Sequence, residues 1–308
     1  MEIALQFVLL ALGFVMLGKG ADWFVEGAAG IAMRFGIPQL VIGLTIVAMG
    51  TSAPEAAVSI AAAVKGNADI TIGNIVGSNI LNILIILGLA ASIVPIAVAR
   101  STVRIEIPFM IAVTALLFYQ GRDGSISLAD GGVLMVAFAA YMMYLYTMAM
   151  KSNVDSDLEE PGLPLGRCLL GAVGGLALII AGSNVTVGAA TSIATYAGLS
   201  ERFIGLTIVA LGTSLPELFT SVAAARRGNA DIAIGNIVGS NIFNILFVVG
   251  LSSLIIDIPF ASAFNFDTYV ALGAAVLLWL CVLRTQKLQR WAGALMLVCY
   301  AAYLGYIL

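Results

Sequence analysis

The sequence predicts an all-α, polytopic membrane protein with ten transmembrane helices in two inverted five-helix repeats. Three observations predict it. First, 61% of the 308 residues are apolar and only 10% charged, with a mean hydropathy of +1.07, so the chain has too little polar surface to coat a soluble globule. Second, the apolar residues fall into about ten separate stretches. Third, one passage is written twice: Gly43 to Ala91 reappears as Gly205 to Ser253, with a constant offset of 162 residues, no gap, and 34 of 49 positions identical.

In chain order the expected spans are 3–29, 39–64, 70–94, 103–119 and 127–150, then 166–196, 201–225, 232–256, 267–284 and 289–308. Each is 17 residues or longer. Strands of a membrane barrel would be about ten residues with alternating polarity, so helices are the spanning element. Met1 and Glu2 lead directly into the first apolar run without a basic segment or a small-residue cleavage site, and that span is expected to be retained. The weaker similarity at the same offset extends back to Gly20 and Gly182, so a whole half is duplicated. The halves are 1–150 and 166–308, joined by a linker at 151–165. Two related membrane halves around a shared site is a transporter pattern, not a solenoid.

Basic residues orient the chain. Arg34, Arg100, Arg104, Lys151, Arg167, Arg226, Arg227, Arg284, Lys287 and Arg290 fall on odd-numbered connections, ten in all, against Lys65, Arg122 and Arg202 on the other side; Lys19 lies inside the first span. The positive-inside rule then puts the linker in the cytoplasm and both termini outside. With five helices per half, the second half crosses in the opposite sense. The expected location is the plasma (inner) membrane, in contact with the lipid bilayer. Dispersed basic residues and a net charge of -3 point away from nucleic acid.

The linker contains Asp155, Asp157, Glu159 and Glu160 with no base; a solvated connector is the simple reading, and a weak calcium site there lacks EF-hand spacing. Cys168, Cys281 and Cys299 sit in apolar stretches without CxxC spacing and read as core packing. The chain has no histidine, which removes the commonest transition-metal ligand and the commonest proton shuttle near neutral pH.

The chemistry concentrates in GTSAPE, Gly50 to Glu55, and GTSLPE, Gly212 to Glu217, each in the middle of a long apolar span. Proline cannot donate an N–H and clashes with the carbonyl four residues earlier, so Pro54 and Pro216 are expected to free the carbonyls of Gly50 and Gly212. Thr51, Ser52, Thr213 and Ser214 add oxygens at the same break. Kinked helices with Ser and Thr bonded to their own backbone would be the bland account of one motif. Two copies, each with a carboxylate that is costly in hydrocarbon, argue for a site. Next come GNIVGSNILN, Gly73 to Asn82, and GNIVGSNIFN, Gly235 to Asn244. Asn74, Ser78 and Asn82 recur every four residues on one helix face, as do Asn236, Ser240 and Asn244. These stripes either bond neighbouring helices or line a hydrated cavity facing the glutamates. Two carboxylates among neutral oxygens suit a hard cation, Ca²⁺ or Na⁺ before Mg²⁺, which dehydrates reluctantly.

With these paired motifs, GTSAPE with GNIVGSN and GTSLPE with GNIVGSN, the chain resembles the cation/calcium antiporter superfamily, particularly its prokaryotic sodium/calcium exchanger-like members, over nearly its whole length. The resemblance implies ten helices with ion sites among the second, third, seventh and eighth. By position it implies as ligands the carbonyls of Ala48 and Ala210, then Thr51, Ser52, Glu55, Thr213, Ser214 and Glu217, completed by Ser78, Asn82, Ser240 and Asn244. It also implies that the first and sixth helices slide against the others to alternate access. Asn244 departs from the aspartate often found there in the family, which leaves sodium as counter-ion open.

The expected function is therefore exchange of Ca²⁺ for Na⁺, with a proton-coupled or K⁺-dependent exchanger as the near alternative and a cation channel or an intramembrane protease as remote ones. No catalytic residue and no prosthetic group is expected, the ions being substrates, and the chain is expected to work as a monomer. Among the remaining groups, Asp22, Glu26 and Lys19 read as an ion pair within the first helix. Asp69 and Asp231 read as helix N-caps. Trp23, Trp279, Trp291 and Tyr306 read as interfacial anchors.

Overall fold

The computed structural model describes residues 2–66, 68–152, 163–198 and 210–307. Eight helices in these residues are long and apolar enough to cross a membrane: α1 (Ile3–Phe35), α4 (Ile70–Ile93), α5 (Thr102–Asp123), α6 (Leu128–Lys151), α7 (Leu165–Tyr196), α10 (Ala230–Ile255), α11 (Phe264–Leu283) and α12 (Arg290–Ile307). One further span is a broken pair, α2 (Gln39–Thr51) and α3 (Ala53–Val64), bent by 51°. Its repeat equivalent is α8 (Ala210–Thr213) followed by α9 (Leu215–Arg226). The expected span 201–225 lies outside the described residues up to 209, as does the acidic segment 153–162 of the linker.

The duplicated Gly-Asn helices form the centre. Of the apolar window in α10, 94% is buried, and 78% of that in α4, against 17% in α1, α6 and α12. A helix apolar all round belongs in a core, and its small residues allow backbones to touch. Gly239 packs so closely on Leu44 and Ala48 of α2 that no methyl group would fit. The outer helices turn Val136, Leu170 and Val298 outward, consistent with a lipid-facing surface.

The long helices α1 and α7 pack along each other. Glycine makes this contact: a methyl at Gly175 would fall 2.5 Å from the Phe24 nitrogen, and one at Gly20 2.9 Å from the Gly175 carbonyl. The surface between the two helices is consequently smooth backbone with few interlocking side chains.

Short strands tie the halves together. Residues Ile96–Ala97 (β1) pair antiparallel with Lys287–Leu288 (β4), and Ser125–Ile126 (β2) with Ile258–Pro259 (β3). In each ribbon the connection between third and fourth spans of one half meets the connection between fourth and fifth spans of the other.

Several local expectations are corrected. Asp69 and Asp231 are not N-caps: those positions belong to Ala68 and Asn229, without a side-chain bond, and the aspartates start the first turn. The acids of α1 pair across helices, not within one: Arg227 reaches Asp22 and Glu26, each at 3.2 Å. The cation supplied by α9 displaces the same-helix Lys19 as partner. Trp279 is half-buried and donates its Nε1–H to the Val103 carbonyl at 2.9 Å, linking α11 to α5, whereas Trp23, Trp291 and Tyr306 are exposed. Cys168 and Cys281 are buried and Cys299 half-buried, all as free thiols.

Gly175→Leu is expected to force α1 and α7 apart at a cost of about 1–3 kcal/mol, seen as a lowered thermal unfolding midpoint in detergent. An unchanged midpoint would mean that the glycine contact is dispensable.

Candidate cation site

The helix breaks position both glutamates by the same local geometry. Ser52 ends α2 with φ −81° and ψ 6°, and Ser214 ends α8 with φ −91° and ψ 4°. Neither residue is strained, but each departs from helical ψ and redirects the chain. Pro54 and Pro216 then fall in the first turn of α3 and of α9, where proline's missing N–H costs nothing and its fixed φ suits the helix. One residue later come Glu55 and Glu217, each 1% exposed. Both carboxyl groups thus lie at the first turn of a half-helix, where its free backbone N–H groups gather.

The prolines do not leave the expected carbonyls bare. The oxygen of Gly50 accepts a backbone N–H from the tightened turn at Ser52. That of Gly212 accepts the Ser183 hydroxyl of α7 at 2.8 Å. In the first repeat the position of Ser183 is Ala21, so this bond has no counterpart there.

Each glutamate is held by the other repeat. Ser52 Oγ donates to Glu217 Oε1 at 2.8 Å, and Ser214 Oγ approaches Glu55 Oε1 at a long 3.5 Å. Thr51 lies beside Glu217 and Thr213 beside Glu55 in the same crossed sense. Thr51 also donates to Asn236 Oδ1 at 3.0 Å. The Ala48 carbonyl accepts the Ser52 N–H at 3.0 Å and the Ser240 hydroxyl at 3.3 Å. Ser78 is buried, Thr213 half-buried, and Ala210 opens α8, with its side chain outside the described residues.

The asparagine stripes divide into two functions. Asn74 donates to Ser59 Oγ at 2.9 Å and to the Glu55 carbonyl at 3.3 Å. Asn236 repeats this with Ser221 at 2.9 Å and the Glu217 carbonyl at 3.4 Å. For these two the bland account holds: they fasten α4 to α3 and α10 to α9. Asn82 and Asn244 behave differently, because each uses its amide N–H on the opposite repeat. Their partners, Asn241 and Asn79, escaped the sequence reading, being one residue off the four-residue stripe; their recurrence inside both GSN triplets was the available signal.

Four oxygens remain: Glu55 Oε2, Glu217 Oε2, Asn82 Oδ1 and Asn244 Oδ1 are buried without any hydrogen-bond donor. Buried acceptors normally find donors, and leaving one unmet costs about 1–3 kcal/mol. A cation is the natural partner for acceptors only. Among the described residues no group of three His, Cys, Asp or Glu exists, so the donor set is two carboxylates with neutral amide and hydroxyl oxygens. That set suits Ca²⁺ or Na⁺, which accept many oxygen ligands in flexible geometry.

The chain is similar to known proteins over nearly its whole length. The family described as sodium/calcium exchanger protein matches residues 5–147 and again 168–308, one match per half. A putative antiporter CaxA from Alkalimonas amylolytica is 41% identical, over 99% of this chain and 98% of that protein. The sodium/calcium exchanger MaX1 of Methanosarcina acetivorans is 33% identical, over 98% of both. A structure of the sodium-calcium exchanger NCX_Mj soaked with Na⁺ and Sr²⁺ superposes with a TM-score of 0.86 at 34% identity, covering 98% of this chain and 99% of that one.

Ser52→Ala is expected to weaken divalent-cation binding about tenfold, and Ser214→Ala less, because a 2.8 Å bond is lost in the first and a 3.5 Å contact in the second. Isothermal titration of the two variants measures the difference; equal losses would remove the ranking.

Proposed function

Because the chain belongs to the sodium/calcium exchanger protein family, we propose that it is a secondary active antiporter that exchanges Ca²⁺ for Na⁺ across the plasma (inner) membrane by alternating access. The four donorless oxygens of Glu55, Glu217, Asn82 and Asn244 carry the reading. Together with the hydroxyls of Thr51, Ser52, Thr213, Ser214, Ser78 and Ser240 and the carbonyls of Ala48 and Ala210, they form one mid-membrane cluster.

Electrostatics makes such a site an exchanger. Two ionised carboxylates carry −2, which one Ca²⁺ or two Na⁺ neutralise. An unloaded pair would be two uncompensated charges in a low-dielectric interior, so the helices pass between access states only when cations are present. Calcium and sodium therefore compete for the same oxygens in turn, and one gradient drives the other ion.

The helices suit this motion. α1 and α7 meet through glycine-lined backbone, which lets them shift together against the buried core of α4 and α10. The strand ribbons support an inverted arrangement of the halves: third-connection to fourth-connection pairing puts equivalent elements on opposite faces. Ten helices, with both termini outside, follow from that arrangement and the basic-residue count.

Ion-gradient-driven ⁴⁵Ca²⁺ uptake into proteoliposomes tests the proposal. Uptake is expected with an outward sodium gradient and is expected to be abolished in Glu55→Gln and in Glu217→Gln, with folding retained. Transport at the wild-type rate in either variant sinks the site, and uptake driven by a pH or K⁺ gradient without sodium replaces the counter-ion. Single-channel currents would indicate a pore instead. Asn244→Asp adds a third carboxylate and is expected to alter ion preference or pH dependence; an identical profile would make that position neutral.

A further inference from the structure

We propose that Asn79 and Asn241 are positioning residues that turn the amide oxygens of Asn244 and Asn82 toward the transported cation. This rests on the cation site proposed above. All four side chains are at most 3% exposed. Asn241 Oδ1 accepts from Asn82 Nδ2 at 2.9 Å, and Asn79 Oδ1 accepts from Asn244 Nδ2 at 3.1 Å. The clasp closes on itself: Asn79 Nδ2 donates to the Asn241 carbonyl at 3.2 Å, and Asn241 Nδ2 to the Asn79 carbonyl at 3.1 Å.

An amide can present either oxygen or NH₂, and only the oxygen binds a cation. Flipping Asn82 would set its Oδ1 against that of Asn241 and aim two N–H groups at the ion. The clasp forbids the flip from the far side of the interface. Its oxygens are themselves fixed because their amide nitrogens are tied to backbone. Beyond Asn82 and Asn244 each helix widens into a π-turn, Asn82–Leu87 and Asn244–Val249, so the clasp sits at the last regular turn before each irregularity.

The test is Ca²⁺ titration of the full-length protein with Asn241→Leu, alone and combined with Asn82→Asp. An aspartate has no N–H and needs no orienting. Asn241→Leu is expected to weaken Ca²⁺ about tenfold in the wild-type background and little in the Asn82→Asp background. Asn79→Leu with Asn244→Asp provides the mirror pair if one variant fails to fold. Equal losses in both backgrounds would make the clasp a mere helix–helix bond and overturn the proposal. Should Glu55→Gln and Glu217→Gln also bind Ca²⁺ normally, the cation site itself would be wrong, which is a separate outcome.

A second observation is independent of the first. Resting on the alternating-access reading above, we infer that Arg227, Asp22 and Glu26 form a one-sided latch that biases the protein toward the arrangement in which α1 lies against α9. Packing is unequal between the halves: α1 lies on α9, while α7 makes no comparable contact with α3. The packing of α1 on α9 includes the two Arg227 ion pairs at 3.2 Å and the Phe14–Phe219 rings at 6.1 Å. A groove of about 550 Å³ runs beside this contact, lined by Phe14, Asp22, Phe219 and Arg227.

The duplicated sequence supplies the control. At the offset of 162, Arg227 corresponds to Lys65, but Asp22 and Glu26 correspond to Asn184 and Gly188, and Phe14 and Phe219 to Leu176 and Ala57. The same latch cannot form on the other side. Since the ion-pair side chains are 36% and 44% exposed, the bias is modest, about three- to tenfold.

Spin-label distances between Met33 and Arg226 in nanodiscs, with Cys299 replaced by Ser, measure it. Asp22→Asn with Glu26→Gln is expected to cut the short-distance population by that factor. Arg227→Glu combined with Asp22→Arg and Glu26→Arg is expected to restore it, and Asn184→Asp with Gly188→Glu to oppose it. The same distance distribution in all of these would overturn the latch.

Discussion

Two carboxylates closed off from water inside an apolar protein are the constraint on which the rest of this structure depends. Glu55 and Glu217 are each 1% exposed, and such charges persist only where dipoles, donors or counter-ions replace the lost solvent. Every unusual local feature converges on that need. Serines with helix-ending ψ break the second span and its equivalent, so that each glutamate meets a half-helix N-terminus. Asn74 and Asn236 clamp the new helices to their neighbours through the glutamates' own carbonyls. Gly235 and Gly239 of α10 let α2 approach closely enough for the Ser240 hydroxyl to reach the Ala48 carbonyl.

The duplication does not make two sites. Ser52 serves Glu217, Ser214 approaches Glu55, Asn241 holds Asn82 and Asn79 holds Asn244. Each half carries polar side chains that are hydrogen-bonded by the other. The repeated passage is nearly identical around the glutamates and asparagines that make these contacts. Positions on α1 and α7, away from the centre, have diverged, and there the two sides differ in how firmly they close.

Where sequence reasoning failed, tertiary competition was the reason. An i, i+3 partner for Asp22 is sound helix logic, yet a guanidinium from α9 offers two acids one geometry. Proline's effect on a carbonyl four residues back presumes an uninterrupted helix; with the break placed before the proline, a tightened turn and Ser183 satisfy those oxygens. Asp69 and Asp231 have capping chemistry, but the helices begin one or two residues earlier than the polar pattern suggests.

By itself the sequence determined the helical membrane class, the paired halves, the buried glutamates and the oxygen-only chemistry. These follow from composition, span length and repetition, which act locally or along one helix face. Only the tertiary structure decided which oxygens lack donors, that the holding contacts cross between repeats, and that α1 rather than α7 is closed against its neighbour. Those facts depend on distances between segments about 160 residues apart, and periodicity within one segment carries no information about the orientation of another.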